Sequence, residues 1–376
     1  MGSRGNVVSR QGRARGRITA AAIVAMVLVG GTAAAASAVG IATMAASNEN
    51  ADSAATASDS LALNSELQPL VSSAGLPTPE RVSGADRFDG AVKISQRAFP
   101  GQAPVVYVAS GENFPDALGA GPAASHEGGP LLLTTSASLP TVVQTEITRL
   151  APSKIVAVGG VNTISPAVFT VLQSLAPTVV RIDGADRFEV SRRIAAYAFA
   201  SSSKAYVVTG VDFPDALGTG SAAASKDAPV ILVNGTAAAV DAPTLTLLQN
   251  LGVTQVWIGG GPNSVSTGIE SSLDASRPTY RLAGNDRFLG SEVINREAFT
   301  ENSNYVVLAS GAVYPDALSG SALAGALNAP LYLVPSDCVP DGVLSDIRSR
   351  SATNVLILGG VNTLGAPVQS LTSCGW

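Results

Sequence analysis

The tripeptide Asp-Arg-Phe returns at one fixed interval, in "GADRFDG" (84–90), "GADRFEV" (184–190) and "GNDRFLG" (284–290), so that Asp86, Asp186 and Asp286 are evenly spaced by 100 residues. That interval is the size of an ordinary domain. It divides the chain into three copies of one unit, 80–177, 178–277 and 278–376. Each copy carries four blocks in the same order. A short strand such as "ERVSG" leads into Asp-Arg-Phe and a helical stretch, with Asp89–Phe99 the first example. The second block is "VVYVASGENFPDAL", answered by "AYVVTGVDFPDAL" and "YVVLASGAVYPDAL". The third is "GPLLLTT", "APVILVN" and "APLYLVP", and the fourth "IVAVGGVNTIS", "VWIGGGPNSVS" and "LILGGVNTLG".

The strand candidates Val105–Ala109, Leu131–Leu133 and Ile155–Val158 are continuous apolar runs, the pattern of strands buried on both faces. Between them lie stretches of helical spacing, for example Leu139–Leu150, where Val142, Val143, Ile147 and Leu150 gather on one side. Strands alternating with helices predict a parallel sheet with helical crossovers, hence an α/β module in each copy.

The repeated charges divide into those with a local role and those without. Asp86, Asp186 and Asp286 are placed as helix N-caps, and Asp89 and Glu189 complete a capping-box spacing that Leu289 breaks. Phe88, Phe188 and Phe288 should face the sheet. Arg87, Arg187 and Arg287 fit less well, because a cation in the first helical turn opposes the helix dipole. Asp116, Asp215 and Asp316 of the "PDAL" block are available as partners, Arg87 with Asp116, within a module or across a boundary. The other reading is that these charges line a ligand groove. Asn162, Asn263 and Asn362, after the glycine pairs of the fourth block, sit at strand ends where open parallel sheets bind ligands.

Several functions are disfavoured. Five arginines occupy the first seventeen residues, leaving 18 Lys+Arg against 28 Asp+Glu, a balance of −10. Such a chain lacks the basic footprint of a nucleic-acid binder. A nucleotide-phosphate site at Gly119-Ala120-Gly121 is opposed by Asp116 at the helix start, and the small residues there suit close helix packing. His126 becomes Lys226 and Leu327 in the other copies, and no zinc or nucleophile-elbow motif occurs, so neither a cofactor, a metal nor an enzyme is expected. The competing enzyme reading is a hydrolase that uses a carboxylate pair such as Asp86 and Asp116 for acid/base work, as in glycosidases.

The N-terminus reads as a secretory signal over 1–38, with its arginines, an uncharged run from Ile18 to Ala46 and the small residues Ala36-Ser37-Ala38. The alternative is a retained anchor, which would be the only membrane contact. Residues 39–79 read as a polar linker. Outside the cytoplasm, Cys338 and Cys374 are expected to be bonded and to tie down the C-terminus.

The four motifs in register resemble the Gram-positive cell wall-binding repeat 2 family, found in clostridial surface-layer-associated and many actinobacterial secreted proteins. The resemblance covers Glu80 to Trp376. It implies three tandem Toprim-like or Rossmann-like α/β modules packed as a pseudo-trimer within one chain, the protein itself being a monomer. It also implies a secreted protein held at the cell wall or cell surface by non-covalent attachment to an anionic cell-wall polymer or peptidoglycan-associated glycopolymer. The family's Ile-Leu-Leu binding motif corresponds to Leu131-Leu132-Leu133, Val230-Ile231-Leu232 and Leu331-Tyr332-Leu333, none an identical match. With an acidic chain, cations must be concentrated locally, and Arg87, Arg187 and Arg287 are the first candidates, Arg81, Arg181 and Arg281 the next. Few lysines and abundant Ala and Gly fit an actinobacterial source.

Overall fold

The computed structural model describes residues 75–113 and 115–376. The expected signal segment, and the linker as far as residue 74, lie outside the described residues. The first repeat runs β1 (Glu80–Val82), α1 (Arg87–Ala98), β2 (Val105–Ser110), α2 (Ala120–His126), β3 (Leu131–Thr134), α3 (Thr141–Leu150), β4 (Lys154–Val158) and α4 (Pro166–Gln173). The second runs β5 (Thr178–Ile182), α5 (Arg187–Ala198), β6 (Lys204–Thr209), α6 (Pro214–Ser225), β7 (Val230–Val233), α7 (Ala242–Asn250), β8 (Gln255–Gly259) and α8 (Thr267–Asp274). The third runs β9 (Thr279–Leu282), α9 (Arg287–Ala298), β10 (Tyr305–Ser310), α10 (Pro315–Ala326), β11 (Leu331–Val334), α11 (Asp341–Ser349), β12 (Asn354–Leu358) and α12 (Ala366–Gln369).

The apolar runs form buried strands of three four-stranded parallel sheets, as expected for strands covered on both faces. The sheets are out of phase with the sequence repeat by one strand. Their orders are β3-β2-β4-β5, β7-β6-β8-β9 and β1-β12-β10-β11, so the opening strand of each repeat completes the sheet of another. Strand β1 closes the ring, pairing Glu80, Arg81 and Val82 with Leu356, Ile357 and Leu358.

Helices α2, α6 and α10 pack against one another at the centre, and each also packs on the Asp-Arg-Phe helix of the repeat that follows it around the ring. Small residues permit this approach. Gly121, Gly220 and Ser321 are the same position of the three helices: a Cβ on Gly220 would stand 2.8 Å from the Ser321 Cβ, and one on Gly121 would fall on the Ser321 hydroxyl. One turn on, a Cβ on Gly325 would meet Ser125 and stand 2.7 Å from the Ala224 Cβ. The resulting core runs continuously through all three repeats, from Ile94 to Leu358. The glycines near Gly119 therefore serve helix packing. In the first repeat the "PDAL" block makes a 3-10 turn, Pro115–Ala117, before α2 begins. Pro122 has no N–H to give the Leu118 carbonyl, whereas Ser221 and Ala322 allow α6 and α10 to continue unbroken.

Cys338 and Cys374 are bonded, and Val339 and Ser373 pair beside them, which fixes the C-terminal segment to the entry of α11. Among the described residues no helix is long and apolar enough to cross a membrane.

Candidate clefts at the repeat junctions

The three aspartates of Asp-Arg-Phe cap their helices as expected. Asp86 Oδ1 accepts from the Phe88 and Asp89 amides, Asp186 Oδ1 from Glu189, and Asp286 Oδ1 from Phe288 and Leu289, all at 2.8–2.9 Å. Asp89 and Glu189 return the bond to the amides of Ala85 and Ala185, and Leu289 cannot.

The arginine that opposes its own helix dipole turns out to serve another element. Arg87 Nη1 donates to the Gly111 carbonyl at 2.5 Å, Arg187 to Gly210 at 2.7 Å and Arg287 to Gly311 at 2.6 Å. Each acceptor lies just past the C-terminal end of β2, β6 or β10. Glycine is required there because an added Cβ would stand 2.6–2.9 Å from the ring of Phe88, Phe188 or Phe288 and 3.1–3.3 Å from the arginine Cδ. This glycine recurs in all three copies after Ser or Thr, a signal already present in the sequence.

The aspartate that each of these arginines faces belongs to a different repeat. Burial pushes Asp116, Asp215 and Asp316 above the usual carboxylate range, and the opposing pull comes from Arg187 on Asp116, Arg287 on Asp215 and Arg87 on Asp316. Arg87 is thus matched with Asp316 across the closed ring rather than with Asp116. Thr163 and Ser264 pull Asp116 and Asp215 in the same direction as the arginines. Among the described residues none of these three arginines forms an ion pair within 4.0 Å, so the charges face one another without closing into salt bridges.

At the ring closure these groups line a cleft of about 370 Å³ that includes Asp86, Arg87, Tyr314, Asp316, Gly360 and Asn362. Its floor is the C-terminal end of the β1-β12-β10 strands, the edge where open parallel sheets bind ligands. Arg87 and Asn362 are exposed; Arg187 and Arg287 are half-buried, and Asn162 and Asn263 exposed. The turn glycine is Gly159, Gly260 or Gly359, all with φ between 111° and 125°. In the second copy the working pair is therefore Gly260-Gly261, one residue later than a simple reading of its three glycines suggests. Asp86 shares the cleft with Asp316 of the third repeat rather than with Asp116 of its own.

The second row of arginines is committed elsewhere. Arg81, Arg181 and Arg281 each donate to the carbonyl of that turn glycine, Gly359, Gly159 and Gly260, at 2.8 Å. Arg81 also holds Gln369, Arg181 lies over Phe169, and Arg281 pairs with Glu270. These contacts lock each exchanged strand to its host sheet.

The Ile-Leu-Leu counterparts are also turned inward. Leu131-Leu132-Leu133, Val230-Ile231-Leu232 and Leu331-Tyr332-Leu333 are all at most 2% exposed. They form β3, β7 and β11, each the edge strand of its sheet, and the edges of β7 and β11 are not free. Ser191 Oγ accepts from the Leu232 amide, Ser291 Oγ from Leu333, and the Asn295 side chain both gives to and takes from Leu331. Side chains of the Asp-Arg-Phe helix thus occupy the edge where another strand would pair. As placed, these nine residues offer no side-chain surface to a polymer.

Family comparison decides the class. The model for cell wall binding domain 2 (CWB2) matches residues 81–169, 181–270 and 281–369. The chain belongs to the cell wall binding domain 2 family. Its three repeats are therefore wall-binding modules. The chain is 27% identical over 292 residues to N-acetylmuramoyl-L-alanine amidase LytC of Bacillus subtilis (strain 168), covering 77% of this chain and 57% of that protein. Against the amidase enhancer of the same organism it is 29% identical over 292 residues, covering 77% and 39%. Among solved structures, Cwp8 from Clostridium difficile superposes with a TM-score of 0.71 at 27% identity, covering 83% of this chain and 54% of that one. Cwp6 from the same organism gives 0.70 at 25%, covering 79% and 48%. The chain spans only about half the length of these relatives. Membership of the family places it at the cell wall or cell surface.

Proposed function

We propose that the protein is secreted and attaches non-covalently to the Gram-positive cell wall by binding an anionic wall polymer in three equivalent clefts, with no catalytic step of its own. The observation that carries this is the threefold recurrence of an arginine anchored by one hydrogen bond beside an exposed asparagine, at the strand ends of each repeat junction. One Nη1 is held by a glycine carbonyl, and the guanidinium still has donors for a carboxylate or phosphate. An acidic protein cannot draw an anionic polymer by its overall field, so local cations must do so. Three modest sites on one rigid body give avidity along a repeating polymer that no single pocket supplies. The buried Leu131, Val230 and Leu331 strands act in this reading by holding the junctions in shape.

The test is co-sedimentation of the purified full chain with native Gram-positive walls and with the same walls after mild acid has stripped their anionic polymers. Binding to the first and not the second is expected. Equal sedimentation with both would sink the polymer assignment. Soluble sugars or peptides appearing in the supernatant would sink the non-catalytic one.

A further inference from the structure

We propose that Trp376 is a stacking platform for a pyranose ring of the wall polymer, adjoining the Arg287 cleft and present in the third module alone. This rests on the reading of the clefts as polymer sites, and it narrows the ligand to an anionic polysaccharide rather than a ring-free polyol phosphate.

The chain has two tryptophans. Trp257 is 6% exposed, between Tyr206 and Tyr280. Trp376 is 56% exposed, yet its segment is held by one covalent and several hydrogen bonds. The Cys338–Cys374 bond ties it covalently. The Val339 amide donates to the Thr372 carbonyl at 2.8 Å, Cys374 donates to Val339 at 3.0 Å, and Asp341 donates to the Trp376 carbonyl itself at 3.0 Å. Gly375, at φ 79°, makes the turn that presents the indole. A large apolar ring left in water but fixed in place is what a preorganised contact requires, since the ordering cost is met before the ligand arrives.

Its position connects it to the cleft. The indole lies against Phe288, with ring centroids 6.0 Å apart, and Phe288 is the neighbour of Arg287. Both residues pack over Gly311, whose carbonyl accepts from Arg287. A sugar acid has two recognisable parts, an apolar face of C–H groups and a charged substituent. Indole suits the first and guanidinium the second. A chain of polyol phosphates offers only the second. At the same offset from the turn glycine, the other repeats have Ala176 and Arg277, which lead into β5 and β9. The platform therefore breaks the pseudo-threefold equivalence and gives the polymer one preferred point of attachment.

The experiment uses the full chain and two probes: the anionic polysaccharide released by mild acid from walls that sediment it, and poly(glycerol phosphate). Trp376→Ala should bind the polysaccharide roughly three- to tenfold more weakly, the range of one aromatic contact. Trp376→Phe should recover much of that loss, and poly(glycerol phosphate) should respond to neither change. Saturating polysaccharide should shield the emission of the wild-type chain from acrylamide quenching and leave Trp376→Phe unaltered, because only the buried Trp257 remains. Unchanged affinity in Trp376→Ala, or unchanged quenching at saturation, overturns the platform. A wild-type chain that melts normally but binds no wall at all overturns the cleft reading instead, so the two failures are distinct.

Discussion

Asp316 Oδ2 occupies the space that a side chain on Gly359 would need: an added Cβ there would stand 2.7 Å away. The same residue pair recurs as Asp116 with Gly159, at 3.1 Å, and as Asp215 with Gly260. The second-block aspartate and the fourth-block glycine of each repeat are therefore one structural unit, although more than forty residues separate them. Gly359 also has φ 111°, where an L side chain is strained.

Gly359→Ala should lower unfolding stability by about 1–3 kcal/mol, from strain and from displacement of the Asp316 carboxylate. Its neighbour provides the control. A Cβ on Gly360 would meet nothing within 4 Å, so Gly360→Ala should stay within about 0.5 kcal/mol of wild type. Urea unfolding of both variants decides it; equal losses would mean that the Asp316 contact plays no part.

The same aspartate should leave a mark on pH dependence. Burial raises Asp316 above its ordinary value of 3.8, with Arg87 pulling the other way. A raised folded value means that the folded chain holds this proton to higher pH than the unfolded chain. The associated stability is fully present below 3.8 and is lost as pH rises through the folded value. Asp316→Asn cannot ionise, so its unfolding midpoint should improve relative to wild type between roughly pH 3 and pH 7. A flat difference would show that Arg87 cancels the effect of burial, and one moving against the variant that Arg87 outweighs it.

Wall binding should respond to the arginines singly and together. Arg87→Gln, Arg187→Gln and Arg287→Gln each remove one guanidinium from one cleft, and each should weaken sedimentation with native walls by roughly an order of magnitude, given the usual gain from linked sites. The triple variant should lose it. Each donates one hydrogen bond to a carbonyl, so the cost in stability should not exceed about 1.5–3 kcal/mol per site. Leu132→Ala would be the wrong probe, because Leu132 is fully buried and its loss reports on folding. Full wall binding by a folded triple variant would remove the clefts from consideration.

Much of the module was readable because its signals are local. The strands expected at Val105–Ala109 and Ile155–Val158 form as Val105–Ser110 and Lys154–Val158, and the N-cap at Asp86 depends only on residues three positions away. Partner identity was not readable. A repeat fixes a period but not which strand completes which sheet, so the exchange of β1 onto β12, and with it the match of Arg87 to Asp316, required the closed ring. The three apolar strands show the same limit from the other side. An apolar edge strand reads alike whether it faces a ligand or its own helices, and here Ser191, Ser291 and Asn295 cover the edge of two of them.

The pseudo-threefold axis can be tested by moving one side chain around it. Gly121, Gly220 and Ser321 meet there, and there is room for one hydroxymethyl group among the three. Gly220→Ser alone adds a second and should cost about 1–3 kcal/mol through overpacking. Ser321→Gly alone loses the bond from Ser321 Oγ to the Leu318 carbonyl, 2.7 Å, and places another glycine in a helix, for about 1–2 kcal/mol together. The double variant restores a single side chain to the axis, carried by α6 in place of α10. It should therefore be less destabilised than the sum of the two changes, by a coupling of about 0.5–3 kcal/mol. If the two effects simply add, to within about 0.5 kcal/mol, the three helices do not share that space and the small residues need another explanation.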